Sequence, residues 1–195
     1  MTGMVIAMKK KKNGIPEDVL PIFDDILNKH KDELGSYLIG IKCFQPEWDD
    51  EFCQAMSKHL TKDQRFRLYE TQGGCNGAGA DKERKSFALE YAHLALDERI
   101  ALFSETFKRW KPVLNSDNTL TLTFKCLHGY YARVKEGKYN SPPPNVEGYF
   151  ERCAGGRLYE LQKVLGIKLR IKSVDVSALL KDVSNPVVFT FEIVD

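Results

Sequence analysis

The sequence predicts an α+β fold in which a helical N-terminal half packs on a small antiparallel sheet. Two observations carry this prediction. From residue 15 to residue 115, apolar residues recur mainly at the spacing of helices. Beyond residue 116, the spacing changes to the alternation of strands, with one helix between them. We therefore expect one domain over 1–195, with a flexible tail at 1–14, a helical part at 15–115 and a β-α-β-β unit at 116–195.

Proline, acidic residues and one capping box mark the expected helix starts. Ile15–Asp18 and Pro46–Glu51 each place proline and carboxylates in a first turn, and Pro21 favours a start close to it for the first helix. Thr61–Gln64 resembles a capping box, in which the Thr61 hydroxyl and the Gln64 amide bind backbone N–H groups. The remaining predictions are helix or loop at Tyr37–Phe44, a helix C-cap and turn at Gly73–Gly79, and helices from Asp81 and Asp97.

Three segments of the C-terminal part have the pattern of strands. Every second residue is apolar from Leu120 to Cys126, and Lys168–Ala178 alternates in the same way. Pro186–Val194 is rich in β-branched and aromatic residues. The segment between the first two strands, Glu151–Leu165, has helical spacing. We expect the three strands to share one antiparallel sheet with this helix packed on its face.

Composition narrows the classes of partner. The net charge of +2, from 29 basic and 27 acidic side chains, argues against binding to the phosphate backbone of nucleic acids. No run approaches the roughly 20 apolar residues of a membrane span. Five cysteines without CxxC spacing indicate reduced thiols and a cytoplasmic protein. We expect no nucleic acid, membrane or cofactor; a homodimer is compatible with the sequence.

A set of cysteines with one histidine supplies the candidate catalytic groups. Cys126 and His128 lie two residues apart, so a continuing strand would place them on one face, and Cys75 lies in the glycine run. Cys153 is expected at the head of a helix, where the dipole favours a thiolate and lowers the thiol pKa. One of Cys153 and Cys126 would then attack, with His128 as base. A Cys/His metal site and plain buried cysteines are the alternatives; we predict no metal.

Arginines and glycines beside Cys153 supply the candidate ligand contacts. Gly155 and Gly156 allow close approach of a backbone, and Arg152 and Arg157 offer guanidinium groups that suit a carboxylate or phosphate. In the structural alternative, the glycines allow tight packing of the helix on the sheet, and the arginines pair with Glu151 or Glu160. Nearby aromatic residues would wall a pocket or fill the core: Tyr130, Tyr131, Tyr149, Phe150 and Tyr159.

The C-terminal half resembles a known superfamily over about 75 residues. The segments that carry the resemblance are Phe124–His128, Tyr149–Gly156, Val164–Leu169 and Phe189–Ile193, and Arg67–Cys75 extends it. Their order is similar to that in the 2-amino-thiazoline-4-carboxylate hydrolase-like and four-vinyl-reductase-like small-molecule-binding domains. The resemblance implies a pocket between the helices and the sheet, with Cys126, His128 and Cys153 near its mouth.

The leading functional hypothesis is therefore a cytoplasmic protein that binds a small organic ligand. In its catalytic form the protein is a thiol-dependent hydrolase of a C–N bond in a small heterocyclic or amide-like acid. A non-catalytic sensory or interaction module is an alternative of a different class. A thiolate-ligated metal protein is the third.

Overall fold

The computed structural model describes residues 15–29, 53–54, 56–71, 77–107, 110–125 and 130–194. Its helices are α1 (Leu20–Lys29), α2 (Lys62–Glu70), α3 (Gly77–Glu90), α4 (Leu96–Phe107), α5 (Tyr130–Lys135), α6 (Val146–Leu165) and α7 (Ser177–Lys181). Residues 53–54 and 56–59 are helical as well. The strands are β1 (Val113–Leu114), β2 (Thr119–Phe124), β3 (Lys168–Asp175) and β4 (Val187–Val194). These elements confirm the predicted α+β class.

The four strands form one antiparallel sheet in the order β1-β2-β4-β3. The three strands expected from the sequence therefore share a sheet, as predicted. Strand β2 pairs with β4 so that Leu120 faces Phe191 and Leu122 faces Phe189, and all four side chains are fully buried. The alternation in the sequence thus gives the sheet one apolar face.

Helix α6 covers this apolar face and is the centre of the helical layer. It packs on β3 and β4, and α2, α3 and α4 pack against it in turn. Its inward side includes Ala154, Leu158 and Leu161, which follow one another at the three- and four-residue spacing of one helix face. The helix ends at Gly166, whose φ of 65° is a left-handed conformation that glycine adopts readily.

The starts of the first two helices agree with their sequence signals. Helix α1 begins at Leu20, next to Pro21. In the capping box of α2, the Gln64 N–H donates to the Thr61 hydroxyl at 3.2 Å, and the Thr61 N–H donates to the Gln64 side-chain oxygen at 3.0 Å. The predictions for 1–14 and for Tyr37–Phe44 concern segments outside the described residues.

Several predicted bounds are wrong. Helix α6 begins at Val146, five residues before Glu151, and α3 begins at Gly77, inside the expected glycine turn. Strand β3 ends at Asp175, whose carboxylate accepts a hydrogen bond from the Ser177 N–H at 2.8 Å and so directs the chain into α7. Strand β1 and helices α5 and α7 have no counterpart among the predicted elements.

Candidate ligand-binding site

Cys153 lies inside α6 rather than at its head. It is half-buried and comes seven residues after Val146, the first residue of the helix. The effect of a helix dipole falls off within the first turn. The predicted reason for a reactive Cys153 thiolate, its position at a helix N-terminus, is therefore wrong.

Arg152 precedes Cys153 on the same helix and is a partly desolvated cation. Burial lowers the pKa of Arg152 to about 10, and the neighbouring Cys153 sulfur opposes this shift. The side chain still carries its charge at neutral pH. Arg152 therefore remains a candidate for contact with a carboxylate.

Gly155 and Glu151 join α6 to α2. A Cβ atom on Gly155 would lie 2.3 Å from the backbone oxygen of Tyr69, so the two helices approach as closely as they do because this residue has no side chain. Glu151 is fully buried and accepts two hydrogen bonds from Arg65, at 2.6 and 2.9 Å. These contacts support the structural alternative for the glycines, with a helix rather than the sheet as the partner. Gly156 is also buried within α6.

Arg157 is buried, and its guanidinium group contacts other side chains of the protein. Its guanidinium lies 2.9 Å from the Glu160 carboxylate, 4.4 Å from the Trp110 ring centroid and 5.4 Å from that of Phe124. Glu160 in turn pairs with Arg84 at 2.8 Å. These contacts favour a structural role for Arg157, which stacks on aromatic faces and balances a buried carboxylate.

Five aromatic rings from three segments meet beside α6, and we call them the aromatic cluster. They are Tyr130 and Tyr131 of α5, Tyr139 of the following connection, and Tyr149 and Phe150 of α6. The centroid of Tyr130 lies 5.1 Å from Tyr131, 5.3 Å from Phe150, 5.4 Å from Tyr139 and 6.2 Å from Tyr149. Each such ring pair contributes about 0.5–1.5 kcal/mol beyond its buried area. The cluster thus fixes α5 and the connection on α6.

The hydroxyl of Tyr130 stands out within the aromatic cluster. Tyr130 is only 3% exposed, and within the part of the chain that the structure describes its phenol oxygen has no hydrogen-bond partner. Burial, with a smaller contribution from Tyr139, raises the pKa of Tyr130 to about 12, so the phenol stays protonated at neutral pH. An unsatisfied buried hydroxyl costs about 1–3 kcal/mol. Such a group calls for a partner that the described residues do not supply.

The neighbouring tyrosine, Tyr131, has its hydroxyl satisfied. It donates to the backbone oxygen of Asn185 at 2.7 Å, and Lys125 lies 5.5 Å from the centroid of its ring. Tyr159, which the sequence analysis grouped with these aromatics, instead donates to the Asp81 carboxylate at 2.6 Å. The described structure therefore leaves Tyr130 as the unsatisfied tyrosine of the cluster.

The structure brings some of the predicted site residues together. Tyr149 and Phe150 lie four and three residues before Cys153, so these side chains share one face of α6. Tyr131 joins them across the cluster through Phe150, at 6.1 Å. Cys75, Cys126 and His128, the rest of the predicted catalytic and ligand set, lie outside the described residues.

One residue of the cluster, Tyr139, was missing from the predicted pocket lining, and the sequence did not single out Tyr130 within that lining. Tyr139 has no pattern around it that marks a function. Tyr130 was among the aromatic residues expected to line a pocket, but nothing in the sequence distinguishes its hydroxyl from that of Tyr131. The distinction depends on which tyrosine reaches the Asn185 carbonyl, and that is a property of the folded chain.

The described residues contain neither a metal-binding group nor a membrane-spanning helix. No three His, Cys, Asp or Glu side chains in the described ranges are placed to hold a metal ion. Nor is any helix among them both long and apolar enough to cross a membrane.

No family model, curated protein or solved structure matches this chain. The superfamily resemblance therefore stays a prediction from the quoted segments.

Proposed function

We propose that the protein binds a small organic acid at the aromatic cluster. The observation that carries the proposal is the convergence of five rings from α5, α6 and the connection between them. Small-molecule sites are lined mainly by aromatic and apolar side chains, with a few polar groups that orient the ligand. A planar or heterocyclic ligand would stack on these rings.

Two cations near the aromatic cluster favour an acidic ligand. Lys125 lies against the ring of Tyr131, and Arg152 follows Tyr149 by three residues on α6. Lysine and arginine side chains are cations and would attract a carboxylate. Arg157 is a poorer candidate because its contacts to Glu160, Trp110 and Phe124 already hold it.

Access to the cluster would be from the side of its two half-buried rings. Tyr139 and Tyr149 are half-buried, whereas Tyr130, Tyr131 and Phe150 are buried. Tyr139 stacks on Tyr130 with an interplanar angle of 22°, and it lies on an irregular connection rather than in a helix. A ligand that enters from this side would stack on the half-buried ring of Tyr139.

We propose binding rather than catalysis. The position of Cys153 inside α6 removes the dipole argument for a nucleophile at this residue. The proposed base, His128, lies outside the described residues. A sensor or carrier of a small acid agrees with the same cluster without requiring a reacting thiol.

Ligand-observed NMR tests the proposal with a panel of small aromatic and heterocyclic carboxylates, 2-amino-thiazoline-4-carboxylate and benzoate among them. We expect at least one of these compounds to bind. Tyr139→Ala should weaken its affinity by about tenfold, because stacking on this ring is lost. The matched control is Tyr91→Ala, because Tyr91 is also half-buried and packs on Phe87 outside the cluster, at 4.7 Å. An equal loss of affinity in both variants, or no binding by any member of the panel, would refute the proposal.

A further inference from the structure

We propose that the Tyr130 hydroxyl is the hydrogen-bond donor that recognises the ligand, and that the ligand presents a carboxylate or carbonyl oxygen to it. The inference rests on the proposed function and specifies the polar contact within that site. It starts from the one tyrosine hydroxyl of the aromatic cluster that is buried and lacks a partner among the described residues.

The surrounding rings prevent this hydroxyl from finding a partner by moving. Tyr131 and Phe150 contact the Tyr130 ring edge-on, at interplanar angles of 86° and 69°, while Tyr139 stacks on its face. A tyrosine hydroxyl moves only with its ring, because the oxygen lies on the ring axis. The direction of the Tyr130 C–O bond is therefore set by packing, as a preorganised recognition group requires.

The protonation of Tyr130 determines what it would recognise. With its pKa raised to about 12, the phenol is neutral at physiological pH and carries a proton to donate. Lys125 and Arg152 make a negatively charged acceptor the favoured partner. The ligand class is thus a small acid, or a neutral carbonyl compound with a weaker interaction.

The test compares benzoate, whose carboxylate oxygens can accept a hydrogen bond, with toluene, which has no acceptor oxygen. Binding of benzoate and toluene is measured by ligand-observed NMR on the full chain, for the wild type, Tyr130→Phe and Tyr159→Phe. We expect Tyr130→Phe to weaken the affinity for benzoate by about tenfold or more and to leave the affinity for toluene unchanged. Tyr159→Phe controls for the loss of a hydroxyl, because its partner is Asp81, outside the cluster.

The outcomes separate this inference from the proposed function. Benzoate that binds Tyr130→Phe as tightly as the wild type overturns the role of the hydroxyl and leaves a ligand site at the cluster intact. Failure of both benzoate and toluene to bind the wild type removes the site itself. A crystal structure with benzoate bound adds a second measurement: an ordered water on the Tyr130 oxygen, in place of the ligand, would also overturn the inference.

Discussion

The two flanks of α6 bury polar groups in different surroundings, with charged partners on one flank and aromatic rings on the other. On the flank facing α2 and α3, which we call the ion-pair flank, Glu151 is held by Arg65, and Glu160 by Arg84 and Arg157. On the flank facing α5, the aromatic cluster surrounds a Tyr130 hydroxyl that lacks a partner among the described residues. Removing one partner from a buried ion pair destabilises a fold, whereas a buried donor without a partner can bind another group. The difference supports a structural role for the first flank and agrees with the recognition that we propose for the second.

The largest expected effect is the loss of one carboxylate from the ion-pair flank. Glu160→Gln removes a buried carboxylate that pairs with both Arg84 and Arg157. Although Arg84 keeps its second partner, Asp81, the loss of one member of a buried ion pair costs about 3–5 kcal/mol. We expect urea unfolding to show a decrease of this size in the free energy of unfolding. Glu136→Gln is the control, because Glu136 pairs with Lys138 on the surface and should show no measurable change. Equal effects of the two substitutions would contradict a structural role for the ion-pair flank.

A smaller effect is expected from the close contact between α6 and α2. Gly155→Ala places a methyl group 2.3 Å from the Tyr69 backbone oxygen, and the helices must separate, at a cost of about 3 kcal/mol. Gly148→Ala is the matched control on the same helix. There the nearest atom is the Ser57 hydroxyl oxygen at 3.2 Å, on a side chain that can move, and the gain in helix propensity of about 0.5–1 kcal/mol offsets the contact. Thermal unfolding that ranks Gly148→Ala as the more damaging change would contradict this packing.

The sequence predicts the sheet better than it predicts the helices around it. Alternation identifies β2 and β3, and a β-branched and aromatic composition identifies β4. Each of these strands has one face in the core, where Leu122, Ile171 and Phe189 point inward. The predicted start of α6 lies too late in the chain because Gly155 and Gly156 suggest the beginning of a helix. Glycine is disfavoured inside a helix, and here the approach of Tyr69 overrides that preference.

The candidate site was predictable only in part. Aromatic residues around Tyr131 and Tyr149 suggest a lined pocket, and four of the five aromatics expected to line one do meet. The roles of the arginines could not be read from the sequence. Two arginines pair with Glu160, and one of them, Arg84, is 76 positions away in the chain. The status of each tyrosine hydroxyl likewise depends on contacts between distant segments, such as that between Tyr131 and Asn185.

The smallest effect separates two neighbouring tyrosines and tests the central claim most directly. Urea unfolding of the unliganded protein is compared for Tyr130→Phe and Tyr131→Phe, which each remove one buried hydroxyl. Tyr131→Phe should lower the free energy of unfolding by about 1 kcal/mol, because the Asn185 carbonyl loses this donor. Tyr130→Phe should not lower the free energy of unfolding and should raise it by up to about 1 kcal/mol, because it removes a hydroxyl that lacks a partner in the described structure. A loss in Tyr130→Phe as large as that in Tyr131→Phe would show that the fold already satisfies this hydroxyl, and would contradict the assignment of the aromatic cluster to recognition.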